Sequence, residues 1–189
     1  MWVTLYTDAS WHPERREGGW AVWAKSELGR IVRSGTCPEY TSSAMHAELA
    51  AIYAGIFLVL KMWGEQVEGI QVRSDSQQAL EAVRRGAAPS KDPVMRRLQD
   101  KVQELVRGRV YLRPRWVKGH RNPNGDVTAW LNAHCDREAK RARKRLDSAL
   151  APSPAPQAAV AAQPAVLKPG RSRRRKRARG PSRHASSGA

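Results

Sequence analysis

The order of strand and helix patterns constrains the fold of this chain more than any other feature of its sequence. Three segments with the alternation and composition of β-strands come first: Met1–Asp8, the run WAVWAK after Gly18-Gly19, and Arg30–Cys37. The short polar turns between them predict an antiparallel meander. A long, apolar helix is then predicted over Ala44–Trp63, before any further strand.

The later patterns alternate between strand and helix. They predict, in order, strand Gly69–Asp75, helix Ser76–Arg85, helix Pro93–Val106, strand Val110–Val117 and helix Trp130–Leu146. Pro114 cannot donate a ladder hydrogen bond, which indicates an edge or irregular position for the last strand. This order requires a mixed sheet covered by helices, an α/β fold: three strands, a helix, a strand, two helices, a strand and a helix.

The composition divides the chain into three parts. Residues 1–147 have the patterns of a folded domain, residues 148–169 form a Pro/Ala-rich linker, and residues 170–189 form a basic tail. Nine of the 34 Lys/Arg residues and none of the 17 Asp/Glu residues follow Leu150. The run RSRRRKRARG has no hydrophobic periodicity, so we expect a disordered tail that binds phosphates non-specifically.

The net charge of +17 favours a polyanionic partner, either nucleic acid or an anionic membrane surface, and charge alone leaves both open. The apolar run Leu49–Trp63 is short for a bilayer span, and Glu48 and Lys61 bracket it. It is interpreted as a buried helix of a soluble protein without a membrane partner. Two cysteines are too few for a disulfide framework and fit a reducing, cytoplasmic location.

Acidic residues stand out against this basic background. Asp8 ends the first predicted strand, Asp75 ends the fourth, and Glu48 lies one turn into the long helix. Each alone has an ordinary explanation as a cap or a solvated residue. If the two strands lie side by side in parallel, both aspartates meet at one edge of the sheet. Two such charges about 4 Å apart repel by roughly 4 kcal/mol at an effective dielectric of 20, so a cluster requires cations such as Mg²⁺ or Mn²⁺.

Six short motifs carry a resemblance to a known family. They occur in the order YTDAS, GGWAVWA, MHAELAAI, SDSQQAL, WVKGH and NAHCDREAKRA, over roughly residues 2–145. In this order and spacing they resemble the landmarks of the type 1 ribonuclease H family. The resemblance implies a five-stranded mixed sheet flanked by helices. It also implies Mg²⁺-dependent cleavage of the RNA strand of an RNA–DNA hybrid, leaving a 5′-phosphate.

The resemblance also assigns residues. The family's metal-binding acids correspond to Asp8, Glu48, Asp75 and Asp136, and its loop histidine corresponds to His120. Two Mg²⁺ ions, or Mn²⁺ in their place, are expected at the acids. Asp126 follows an Asn-Gly turn and is expected to be solvated or to cap the last helix.

Substrate contacts are expected near the acids. Gln77 matches a family position that senses the 2′-OH of RNA. Ala44 and Met45 replace asparagines common in the family, and Ser42 and Ser43 are the candidates to substitute for them. The chain also lacks the Trp-rich basic insertion of some members. DNA-strand binding is therefore assigned to the tail or to basic residues whose ordinary interpretation is a solvated helix face: Arg84, Arg85, Lys91, Arg96 and Arg97.

Two alternatives remain open at this stage. One is a structure-specific DNA nuclease or resolvase, because the wider superfamily uses the same acidic site. The other is a non-catalytic module, delivered by the tail, that binds hybrids or duplexes. In each case the protein is expected to be a monomer. His46 and His134 have no partners at metal-ligand spacing and are interpreted as surface residues.

Overall fold

A computed structural model describes residues 1–84, 86–119 and 124–150, with the backbone alone for residues 146–150. One five-stranded sheet has the order β3-β2-β1-β4-β5. Its strands are β1 (Trp2–His12), β2 (Glu17–Ser26), β3 (Gly29–Thr36), β4 (Gly69–Ser74) and β5 (Tyr111–Trp116). The first three pair antiparallel, whereas β1 with β4 and β4 with β5 pair in parallel. The predicted mixed sheet is confirmed, and Pro114 lies in an edge strand as expected.

Helices cover both faces of this sheet. They are α1 (Ala44–Trp63), α2 (Gln77–Ala82), α3 (Pro93–Val106) and α4 (Val127–Leu150), with a short 3-10 helix over Gly64–Gln66. Val3 and Leu5 of β1 pack in the core that α1, α2 and α3 share. Tyr6 packs instead with Leu131 and Cys135 of α4. Because alternate residues of a strand face opposite sides, α4 lies on the face opposite the other three helices.

Helix α1 has the predicted bounds. Its N-cap is Ser43, whose hydroxyl accepts a hydrogen bond from the His46 N–H at 3.1 Å. Together with the 3-10 turn, the helix is long and apolar enough to cross a membrane by length and composition, but half of that stretch is buried in the fold. Ile52, Ile56 and Val59 have no exposed surface. The expected buried helix is therefore confirmed, because the sheet covers its apolar face.

Strand β1 is longer than predicted, and Asp8 lies within it rather than at its end. Pairing with β4 stops at Tyr6 opposite Arg73. Pairing with β2 continues as far as His12 opposite Glu17. The alternation of apolar and polar residues ends at Asp8, because the last residues of β1 have β2 as their one strand neighbour. The extension of β1 to His12 is therefore defined by tertiary pairing alone.

The lengths of α2 and α4 also differ from the prediction. Helix α2 spans only Gln77–Ala82. Helix α4 begins three residues early because the Asp126 side chain accepts hydrogen bonds from the Thr128 N–H at 2.8 Å and the Ala129 N–H at 3.3 Å. It continues to Leu150, so residues 148–150, placed in the linker by composition, are helical. Residues 151–189, the rest of the linker and the tail, lie outside the described residues.

Candidate active site

Parallel pairing of β1 and β4 brings Asp8 and Asp75 to one end of the sheet. Asp8 lies two residues beyond the last β1 residue paired with β4, and Asp75 directly follows β4. Glu48 joins them from the second turn of α1. One carboxylate oxygen from each of these three residues lies within 4.8 Å of the others. The predicted convergence of these acids is therefore present in the structure.

Helix α1 positions Glu48 by packing tightly on β1. Ala47 and Leu49, its neighbours in the helix, are fully buried. About two turns beyond Glu48, Gly55 lies so close to Leu5 that an added Cβ would be 2.9 Å from the leucine methyl carbons. The Oε2 atom of Glu48 is buried and has no hydrogen-bond partner among the described residues. A buried oxygen in this state requires a proton or a cation to be stable.

Burial and mutual repulsion perturb the acids strongly. Burial, followed by the charges of Asp75 and Asp136, raises the pKa of Asp8 from 3.8 to about 8. A hydrogen bond of 2.7 Å from the Ala9 N–H to Asp8 Oδ1 opposes this only in part. Burial also raises the pKa of Glu48 well above its usual range, and the charges of Asp8 and Asp75 add to that effect. The group is thus a site of unbalanced negative potential that attracts protons or metal cations.

Asp136 lies beside this group on α4. Its charge raises the pKa of both Asp8 and Glu48. Its own carboxylate pairs with Lys140, one helical turn away, at 2.7 Å to Oδ1 and 2.8 Å to Oδ2. It is not one of the three acids whose oxygens lie within 4.8 Å of one another. The structure therefore has three converging acids and a fourth nearby that a lysine partly balances.

Three residues around Asp75 were not predicted from the sequence. The Asn132 side-chain amide donates to Asp75 Oδ2 at 3.4 Å. Gly119 lies against the same oxygen, so that a Cβ at this position would overlap it. The Trp116 indole donates to the Asp75 backbone carbonyl at 3.0 Å. The spacing of Asn132 and Asp136, one helical turn apart on α4, is the sequence signal that would have identified the asparagine.

The predicted substrate-binding residues differ in their exposure and in the contacts that they already make. Gln77 is exposed at the start of α2, two residues after Asp75. Ser42 and Ser43 lie at the start of α1, where both hydroxyls already have partners. Arg84 is exposed and pairs with Glu81 at 3.2 Å. His120 and Arg85 lie outside the described residues.

The surface interpretation of His46 is wrong. Its side chain is buried, and its Nε2 atom lies 2.9 Å from Asp92 Oδ2. Asp92 is the N-cap of α3, so this contact joins the starts of α1 and α3. The sequence offered no sign of it because the two residues are 46 positions apart.

Neither cysteine is suited to nucleophilic chemistry. Burial raises the pKa of Cys37 to about 12, with a smaller contribution from the Glu48 charge. Burial also raises the pKa of Cys135. Because the thiolate is the reactive form, both side chains are inert at neutral pH.

The fold is similar to that of solved RNase H structures. One is the N-terminal RNase H domain of Rv2228c from Mycobacterium tuberculosis, solved as a fusion with maltose-binding protein: TM-score 0.60, 19% identity, 78% of this chain and 97% of that one covered. A second is RNase H1 from the halophilic archaeon Halobacterium salinarum NRC-1: TM-score 0.57, 23% identity, 78% and 99% covered. A third is LC11-RNase H1 in complex with an RNA/DNA hybrid: TM-score 0.59, 19% identity, 76% and 98% covered.

The sequence itself supports the same grouping. The RNase H family model matches residues 2–144, which is most of the chain and spans all four acids. A search of curated proteins gives no significant match. The chain belongs to the RNase H family.

Proposed function

We propose that this protein is a metal-dependent endoribonuclease that hydrolyses the RNA strand of RNA–DNA hybrids, leaving 5′-phosphate and 3′-OH ends. The observation that carries the proposal is the convergence of Asp8, Glu48 and Asp75 within 4.8 Å, inside a fold that belongs to the RNase H family. A protein that only binds nucleic acid gains nothing from buried negative charge beside phosphates, which favours catalysis over a binding module.

The donor set fits hard divalent cations. All the candidate ligands are carboxylate oxygens, the class that Mg²⁺ and Mn²⁺ prefer. The unpartnered Oε2 of Glu48 and the raised pKa of Asp8 are both features that a bound cation would relieve. We propose that Glu48 and Asp75, with Asp8, would hold one ion, and that Asp136, with Asp8, would hold a second. When bound, two such ions supply an activated water and neutralise the charge that develops on the leaving oxygen.

The surrounding residues have positioning roles in this proposal. The Asn132 amide fixes the orientation of the Asp75 carboxylate, and Gly119 leaves room for it. Lys140 holds Asp136 in place until a cation competes for its oxygens. His120 is proposed to assist proton transfer or product release near neutral pH.

A hybrid is the substrate that the family membership favours. One of the similar structures is described as a complex with an RNA/DNA hybrid, at 19% identity. Gln77, Ser42 and Ser43 lie close in sequence to the acids and are proposed to contact the RNA strand, where the 2′-OH distinguishes RNA from DNA. Arg84, Arg85 and the basic tail are proposed to contact phosphates. We expect a cytoplasmic monomer.

The test is a cleavage assay with Mg²⁺ and four labelled substrates: RNA–DNA hybrid, duplex DNA, duplex RNA and a four-way junction. We expect cleavage of the hybrid alone, in its RNA strand, and none in EDTA. Asp75→Asn should lower the rate by about 100-fold or more, because it removes a charged ligand oxygen. Cleavage of the junction instead would identify a resolvase, and binding of the hybrid without cleavage would identify a binding module. Full activity of Asp75→Asn would reject the site.

A further inference from the structure

A basic cleft of about 600 Å³ adjoins the acids on the α4 side of β4 and β5. Arg73, Arg115 and Lys118 line it, together with Thr128 at the start of α4. The strand register places Arg73 next to Arg115, and Tyr6 of β1 on the other side of Arg73. No described helix covers this part of the sheet face, since α4 packs mainly on β1 and β2.

The Arg73 side chain is held in place without being neutralised. Its guanidinium donates to Gln71 Oε1 at 2.7 and 2.9 Å and to the Tyr6 hydroxyl at 2.7 Å. It also lies over the Tyr6 ring, 5.3 Å from the centroid. All these partners are uncharged. Arg73 therefore presents a preorganised positive charge to the cleft.

The other two cations are exposed and available. Within residues 1–84, 86–119 and 124–150, neither Arg115 nor Lys118 pairs with a carboxylate. Asp126 also lines the cleft, but its Oδ1 atom is engaged with the N–H groups of Thr128 and Ala129 at the start of α4. Three cations against this one carboxylate leave the cleft with a net positive charge, which is complementary to a phosphate.

The cleft lies close to the acids. Arg73 precedes Asp75 by two residues, a distance of about 7 Å at the rise of an extended chain. Trp116, which also lines the cleft, donates its indole N–H to the Asp75 carbonyl at 3.0 Å. The three cations are therefore within reach of a nucleic-acid strand that has one phosphate bound at the acids.

We propose that Arg73, Arg115 and Lys118 form a subsite for a phosphate of the RNA strand next to the phosphate that is cut. The proposal rests on the proposed function, because it assumes that the RNA strand lies at the acids. The exposed guanidinium of Arg115 presents paired N–H donors that match two phosphate oxygens. Arg73, whose donors are largely engaged by Gln71, Tyr6 and Thr128, and Lys118 add positive charge. The subsite would fix the position of the RNA strand along β4 and β5.

Arg115→Ala is the informative variant, and Arg113→Ala is its matched control. Both arginines are exposed on β5, two residues apart on the same face, but only Arg115 lines the cleft. We measure the Kd of the intact protein for a short RNA–DNA hybrid in EDTA, across a series of salt concentrations. Arg115→Ala should weaken binding by about three- to tenfold and reduce the salt slope by about 1, whereas Arg113→Ala should change both much less. Thermal unfolding checks that both variants are folded.

A second measurement locates the phosphate. Hybrids are prepared with one neutral methylphosphonate at successive positions of the RNA strand. At one position, neutralisation should weaken binding several-fold for wild type and Arg113→Ala but not for Arg115→Ala. Equal effects of the two arginine substitutions, or no position with this dependence, would overturn the subsite.

The outcome is separable from that of the proposed function. Binding is measured without metal and is therefore independent of cleavage. If the methylphosphonate effect requires Arg115 but the protein does not cleave the hybrid with Mg²⁺, the subsite is retained and the enzyme assignment is rejected. If the protein cleaves the hybrid but no methylphosphonate effect requires Arg115, the enzyme assignment is retained and the subsite is rejected. Failure of the wild type to bind the hybrid would reject both.

Discussion

At the residue scale, Asp8 is held in an environment that opposes its charge. It is 5% exposed and lies within 4.8 Å of Glu48 and Asp75 through its carboxylate oxygens. Its hydrogen bond from the Ala9 N–H does not offset burial and the neighbouring charges. Such an arrangement is destabilising by itself and is typical of functional sites.

The first prediction concerns the pH dependence of stability without metal. The pKa of Asp8 is 3.8 when unperturbed and about 8 in the fold, so between these values the folded state holds a proton that the unfolded state has lost. The stabilisation from this group is complete below pH 3.8 and is lost as the pH rises through about 8. In EDTA, the free energy of unfolding should therefore fall with pH over this window more steeply in wild type than in Asp8→Asn.

Chemical denaturation across this pH range measures the effect. Mg²⁺ affinity should rise with pH over the same window, because binding must displace the proton. A wild type whose pH profile coincides with that of Asp8→Asn would contradict the assignment of the raised pKa.

The second prediction separates two aspartates that are close in sequence. Asp136→Asn removes a charge beside the acids and should lower kcat by about 100-fold. Asp126→Asn should leave activity nearly unchanged, because asparagine caps a helix about as well as aspartate. Steady-state cleavage of a labelled hybrid compares the two variants. Equal losses of kcat in both variants would show that neither aspartate can be replaced, and the separate roles assigned to Asp126 and Asp136 would be rejected.

At the element scale, the placement of α4 depends on one glycine of β2. The backbone of α4 at Ala139 and Arg143 lies so close to Gly19 that a Cβ at position 19 would overlap it. Arg143 also donates to the Ser10 hydroxyl of β1 at 3.1 Å. Because α4 carries Asn132 and Asp136, this close approach sets the position of one side of the candidate active site.

The third prediction follows from that contact. Gly19→Ala must shift α4 away from the sheet, since the overlapping atoms are backbone atoms that no rotamer change can move. We expect destabilisation by about 1–3 kcal/mol and a loss of activity larger than the loss of folded protein. Lys25→Ala, at an exposed position of the same strand, is the control. Denaturation curves and kcat are measured together; an unaffected Gly19→Ala would show that α4 does not approach β2 this closely.

At the scale of the whole molecule, the positive charge is shared between residues 1–150 and residues 151–189. The chain has a net charge of +17, and nine of its basic residues lie beyond Leu150. These residues lie outside the described part of the structure. A tethered basic segment raises the local concentration of nucleic acid without changing the chemistry.

The fourth prediction tests this role. Deleting residues 151–189 should raise KM, leave kcat unchanged, and flatten the salt dependence by about 0.9 per lost phosphate contact on a duplex. A full-length variant with the nine basic residues changed to glutamine keeps the length and removes the charge. It should behave like the deletion. A salt slope equal to that of wild type in either variant would contradict the role.

Local patterns in the sequence were enough for most elements and for singling out the acids as candidates. The bounds of α1 and α3 follow from caps and prolines that act within one helical turn, and both match the prediction. The helix between β1 and β4 permits parallel pairing, on which the expected meeting of Asp8 and Asp75 depended, and the structure has that pairing.

Only the tertiary structure determined what depends on residues far apart in the chain. The extension of β1 to His12 requires β2 as a partner, and the burial of His46 requires Asp92. The raised pKa of Asp8 requires burial in the packed fold first, and then the charges of two other segments. The basic cleft exists because the register aligns Arg73 with Arg115. The sequence by itself therefore determined the elements and the chemical character of the site, because caps, periodicity and residue type act locally; distances, burial and pKa arise only when the segments pack.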